Sequence, residues 1–222
     1  MNRRHPTLEW LLAYAGGSTA EAADAIMASH LTLCPQCRRT VARLEALGGA
    51  LLDATPASSQ SDSDEGAAAA IAAAAARARP PARRNTGSLH ALTPRPMADF
   101  IAAKTGTADI QSLPWRFYGP GVQRAVIVSG AAGAVARLLR SQPGTALARH
   151  DHGSDEIAYV LSGAYRDETG LYRTGDVQCA TEKAPHRPVI EGPDECIALV
   201  VSEAPPVPTE LVARLGQLFL GR

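Results

Sequence analysis

Residues 144–163 read GTALARHDHGSDEIAYVLSG, and this stretch decides the fold of the C-terminal half. Gly144, His150, His152, Glu156 and Gly163 stand in the spacing G-x5-H-x-H-x3-E-x6-G. Histidines at i and i+2 of one strand point to the same face. The bend Gly153-Ser154-Asp155 lets Glu156 return into the pocket they share. His186, on a later strand, completes a site of three histidines and one carboxylate, a donor set that suits Zn, Fe, Mn or Ni.

Outward from this stretch, from about Met97 to Ser202, the chain is a series of short strand-like runs. Residues 125–128, 134–139, 157–161, 176–180 and 196–201 are separated by Gly, Pro and Asp, as in an antiparallel sandwich or barrel. Pro208 and Thr209 introduce a last amphipathic helix bearing Leu211, Leu215 and Leu218. The G-x5-H-x-H-x3-E-x6-G residues resemble the first cupin motif. The second motif is partly kept: Gly175 and His186 have its spacing, but Thr181, Lys183 and Ile190 replace its proline, glycine and asparagine. A metal-free structural cupin is the plainer alternative.

A second ligand cluster lies near the N-terminus. Residues 30–37, HLTLCPQC, place His30, Cys34 and Cys37 as H-x3-C-x2-C, and His5 upstream can close a Cys2His2 shell. Leu8, Leu11, Leu12 and Ala15 repeat at helical spacing, and Gly16-Gly17 ends that helix. A second helix is expected from Ser18 or Thr19 to about Ser29, where His30 ends it, and a third from Cys34 to Leu52 with Pro35 in its first turn. Thiolates at a helix N-terminus are expected to have lowered pKa values, which favours metal capture. Two thiolates neutralise Zn2+, which suits a structural zinc in a domain too small to be stable unaided. A chance C-x2-C and a redox dithiol are the alternatives, though no thioredoxin-like βαβ pattern surrounds it.

Residues 53–65 are polar and turn-rich, a linker, and 66–79 form an alanine-rich helix whose one large apolar residue is Ile71. Such a helix suits docking on a partner. Residues 80–96 form another Pro/Arg/Ser-rich connector, so each metal site is expected to sit in its own fold. Twenty-two basic residues balance 22 acidic ones, which excludes a whole-chain electrostatic footprint for nucleic acid. Glu9 interrupts the N-terminal apolar stretch, which is too short for a signal core, and no run approaches the ~20 apolar residues of a membrane helix. The expected location is cytoplasmic. Cys179 and Cys196, in strand-like runs, read as small core residues, and His90 as a solvated loop residue.

Residues 1–80 resemble the zinc-binding anti-sigma domain, in which an early histidine joins H-x3-C-x2-C to hold zinc, and a helix beyond a linker helps clasp the sigma factor. The two halves, in this order, are similar to ChrR-type anti-sigma factors. The resemblance implies an all-α N-terminal zinc domain over 1–80, with 53–65 as internal linker and 66–79 as clasp helix. It places a linker at 81–96 and an all-β cupin (jelly-roll) domain with a C-terminal helix at 97–222. The implied function is a regulator that binds a group IV (extracytoplasmic-function) sigma factor as a 1:1 heterodimer. It would release that factor on oxidative stress, such as singlet oxygen or organic hydroperoxide. No enzyme activity, direct DNA binding or membrane attachment follows. The implied ligands are zinc at His5, His30, Cys34 and Cys37, and a second divalent metal, zinc before Fe, Mn or Ni, at His150, His152, Glu156 and His186. A metal-dependent cupin dioxygenase or isomerase with a helical appendage is the competing reading, but it gives no reason for the N-terminal cluster.

Overall fold

Every residue of β5 (Glu156–Ser162) except the last is buried, and the pleat explains how one strand hides both faces. Ile157, Tyr159 and Leu161 enter a core shared with helical residues. On the opposite face Val160 packs with Tyr165, Tyr172, Ile190 and Cys196. β10 (Cys196–Ser202), its antiparallel neighbour, behaves alike: Ile197, Leu199 and Val201 join the first core, Cys196 the second. Strands covered on both sides read as continuous apolar runs, as these two do.

The protein is described here by a computed structural model over residues 4–55, 69, 93–129, 135–151, 155–180, 185–202 and 207–208. β1 (Arg116–Gly119), β2 (Val122–Ser129), β3 (Val135–Ser141) and β8 (Val177–Ala180) complete a six-stranded antiparallel sheet of order β1-β2-β3-β10-β5-β8. A second layer contains β7 (Gly170–Arg173), β6 (Ala164–Asp167) and β9 (Val189–Ile190), with the pair β11 (Val207–Pro208) and β4 (His150–Asp151). Bridges Ala146↔Val189 and His150↔His186 stitch β4 to the chain leading into β9. The turn from β5 to β6 runs through Gly163 at φ 75°, where a Cβ would lie 2.9 Å from Cys196 Cα and press on the Glu195 carbonyl. Only glycine fits that approach.

The helices cover the outer face of the six-stranded sheet. α1 (Leu8–Ala15) is capped by the Thr7 hydroxyl, and α2 (Glu21–Leu33) hides Ile26 and Met27 completely. α4 (Arg95–Thr105) packs on α2 and β2 through Met97, Phe100 and Ile101. Each such side chain, fully buried, is worth about 1.5–3 kcal/mol. The fold is thus N-terminal helices followed by a C-terminal antiparallel cupin-like sheet, the predicted class. The connectors separate the two halves in sequence, yet in space the helices lie on the sheet and share its core.

α3 (Pro35–Ala54) is different. Only Cys37 and Val41 are buried, and residues 45–55 are all exposed. Leu47, Leu51 and Leu52 are 55%, 62% and 75% exposed, so this half of the helix has no apolar support among the described residues. Gly48 and Gly49 weaken it further.

Two expectations are corrected. α2 continues past Ser29 to Leu33, because Ser29 and His30 are wholly buried and the helix ends only where Cys34 turns extended. Residues 97–105 are helical rather than strand-like: Met97, Phe100 and Ile101 follow i, i+3, i+4, Pro96 suits the first turn, and Gly106 closes the helix left-handed. Pro208 pairs with His150 in β11, and the helix expected beyond it falls outside the described residues. Residues 209–222 and, apart from helical Ala69, 66–79 lie outside the described residues.

Candidate metal centres

The junction of α2 and α3 builds the first cluster. Cys34 ends one helix and caps the next, its Sγ 3.4 Å from the Cys37 backbone N–H. His30, in the last turn of α2, donates from Nδ1 to the Gly175 carbonyl at 2.9 Å, which places its lone pair on Nε2. The His5 Nδ1 stands 3.4 Å from both sulfurs, and its ring meets His30 edge-on at 5.6 Å between centroids. One ligand atom from each of His5, His30, Cys34 and Cys37 lies within 4.8 Å of the other three. Two thiols and two imidazoles at that spacing fit a tetrahedral soft cation such as zinc.

The thiol expectation is corrected. Burial, then the Cys34 thiol beside it, pushes Cys37 up to about 12 instead of down. Helix-end stabilisation of a thiolate is outweighed when the sulfur is 2% exposed and faces a second sulfur.

His5 is positioned by the sheet. The Arg4 backbone N–H donates to Asp176 Oδ1 at 3.1 Å, and its carbonyl accepts from the Val177 N–H at 3.3 Å. The guanidinium of Arg4 stacks over Tyr172. Both imidazoles of the first cluster are therefore held from outside the helices, by residues 175–177. Gly175 was legible as a cupin-motif glycine; Asp176 and Arg4 carried no sequence signal.

The second cluster sits on the inner face. His150 and His186 exchange backbone hydrogen bonds at 3.1 and 3.0 Å, which sets their rings side by side. His150 Nδ1 donates to the Ala148 carbonyl and His186 Nδ1 to Asp167 Oδ2, at 2.9 and 2.7 Å. Both lone pairs then fall on Nε2, and these atoms are 3.0 Å apart. Two imidazole nitrogens that close are placed to share one cation. Glu156 brings a carboxylate oxygen within 4.8 Å of both rings. His152, predicted as a fourth ligand, lies outside the described residues, as do His90, Thr181 and Lys183. Ile190 sits in the inner core, where asparagine was the family habit.

Behind His186 stands a network that sequence reasoning missed. Burial opposes ionisation of Asp167, but hydrogen bonds from His186, Thr169 and Gln178 win and hold its carboxyl far below the usual range. Gln178 donates to Asp167 at 2.5 Å and accepts from the Tyr165 hydroxyl at 2.7 Å. A carboxylate behind a ligating histidine fixes its tautomer and raises its basicity. Cys196 is a buried core residue and Cys179 a half-buried one; burial pushes them up to about 12 and about 11.

Comparison with known proteins follows the same division. Residues 103–205 match the family model of the ChrR cupin-like domain. The anti-sigma-E factor ChrR of Cereibacter sphaeroides is 36% identical over 217 residues, covering 98% of this chain and 97% of that protein. The chain belongs to the ChrR family of anti-sigma factors. A solved structure of Rhodobacter sphaeroides SigE in complex with the anti-sigma ChrR matches 90% of this chain and 98% of that one, at 32% identity and TM-score 0.67.

The relative that covers nearly the whole length is an anti-sigma factor, not an enzyme. The matched cupin-like region contains His150, His152, Glu156 and His186, together with Gly175 and Asp176, which hold the first cluster. No helix among the described residues is long and apolar enough to cross a membrane.

Proposed function

We propose that this chain binds a group IV (extracytoplasmic-function) sigma factor one to one in the cytoplasm and keeps it from RNA polymerase. The carrying observation is the second half of α3, where Leu47, Leu51 and Leu52 are exposed with no apolar cover among the described residues. A helix this apolar and uncovered suits a partner groove. The match to ChrR bound to SigE supports the same reading. The domain division follows: 1–80 inhibits, with 66–79 as clasp, 81–96 links, and 97–222 responds.

His5, His30, Cys34 and Cys37 hold a structural zinc that ties the N-terminal arm, α2 and α3 together. His150, His152, Glu156 and His186 hold a second divalent metal, zinc before Fe, Mn or Ni. When bound, such a metal would supply Lewis-acid or redox chemistry toward an oxidant or its product. The chain's own residues do the rest. Asp167 orients His186, Gln178 orients Asp167, and Gly175 and Asp176 on the same segment hold His30 and the arm bearing His5. Displacement of that segment loosens the grip, and oxidative stress such as singlet oxygen or organic hydroperoxide releases the sigma factor.

The test is a binding titration of the full chain with a group IV sigma factor from the same genome. A one-to-one complex is expected, with L51D/L52D weakening it about 30-fold or more while folding as the parent does. Parent-like affinity in that variant would remove α3 from the interface.

A further inference from the structure

The inner face of the sheet carries a buried cation that the metal cluster does not explain. Arg137 lies on β3 between Ala136 and Leu138, which face the helices, so its side chain enters the barrel. It is 7% exposed. Its one side-chain polar contact among the described residues is a long one, Nη2 to Glu156 Oε2 at 3.4 Å. The guanidinium Nε is buried with no hydrogen-bond partner. Ser202, paired in register with Glu156 on β10, is 2% exposed, and its Oγ is equally unpartnered.

A guanidinium has five donors, and burying it is costly unless an anion faces it. Its only carboxylate among the described residues belongs to the His150–Glu156–His186 cluster. Once Glu156 gives its charge to a cation, Arg137 has no counter-ion left among the described residues. The surroundings are apolar and open on one side. Val200 faces Arg137 on β10 with Ala158 beyond it, while Val126 faces it on β2 and is 46% exposed. One planar fork, one hydroxyl donor and apolar walls match a single carboxylate with a short hydrocarbon tail.

We propose that Arg137 and Ser202 form an anion subsite beside the second cluster that takes the carboxylate of a small organic acid. Val126 marks its entrance, and Val200 and Ala158 receive the apolar part. The subsite is a property of the barrel alone, so it stands whether or not the sigma-factor reading does.

The experiment is calorimetric titration of the zinc-supplemented full chain, without sigma factor, with butyrate, 1-butanol and inorganic phosphate as probes. Saturable butyrate binding is expected, weaker phosphate binding and none by butanol. R137M should weaken butyrate about 10- to 100-fold, and S202A several-fold. If R137M fails to fold, S202A and R137K decide, since lysine keeps the charge but loses the fork. The proposal is overturned if the parent chain does not bind butyrate saturably. It also fails if butanol or phosphate binds as tightly, or if the folded variants bind butyrate as the parent does.

Discussion

Cys37 shows what burial does to a candidate metal ligand. With its thiol pushed up to about 12 by burial and by Cys34, it holds its proton at neutral pH. The ligand is the thiolate, so zinc uptake must expel that proton. Because the raised pKa keeps the proton bound, affinity should rise with pH, about tenfold per unit for each proton expelled. Zinc calorimetry in buffers of different ionisation enthalpy measures this directly. Release of about one proton or more is expected, and none would mean that Cys37 is not a ligand. The H-x3-C-x2-C cluster was legible because its spacing is local. The direction of the shift was not, since it depends on a burial that α1 and the arm create. Asp167 was illegible for a similar reason: it is the last residue of a four-residue strand, and its partner His186 lies 19 residues away.

At the scale of elements, the N-terminal arm behaves as a strap on the sheet. Arg4 is tied to Asp176 and Val177, and His5 follows it directly into the first cluster. Asp176→Ala should therefore weaken zinc at a site whose four ligands lie more than 130 residues earlier, as its nearest one, Cys37, shows. Loss of an orienting contact around a ligand costs about 10- to 100-fold in affinity. Competition with a chelator for the full chain and the variant measures it, and unchanged affinity would show the strap to be incidental. The longer elements were readable, since β5 and β10 are continuous apolar runs and α1 has helical spacing. β4 and β9, of two residues each, are too short to carry a period, and α4 was hidden where strand patterns were expected.

For the whole molecule, the question is whether two sites in separate stretches of sequence act as one device. Segment 175–178 touches both: Gly175 receives His30, Asp176 and Val177 hold Arg4, and Gln178 reaches Asp167, which holds His186. A change at the inner cluster therefore has a short route to the first one, three hydrogen bonds joined by one backbone segment. Ordinary coupling of this kind is worth about 1–3 kcal/mol, enough to shift sigma affinity about 5- to 150-fold. Changing Glu156 or His150 to Ala removes an inner ligand without touching the helices or the four outer ligands. Resting sigma affinity, measured by titration, should stay within about threefold of the parent, because Gly175 and Asp176 still hold their partners. Under oxidative challenge in cells, a sigma-dependent reporter should stay silent in the variant where the parent lets it rise. Normal induction would move sensing to Cys34 and Cys37 or to another protein. Constitutive expression would make the inner cluster part of the grip, with segment 175–178 transmitting its loss to the clasp.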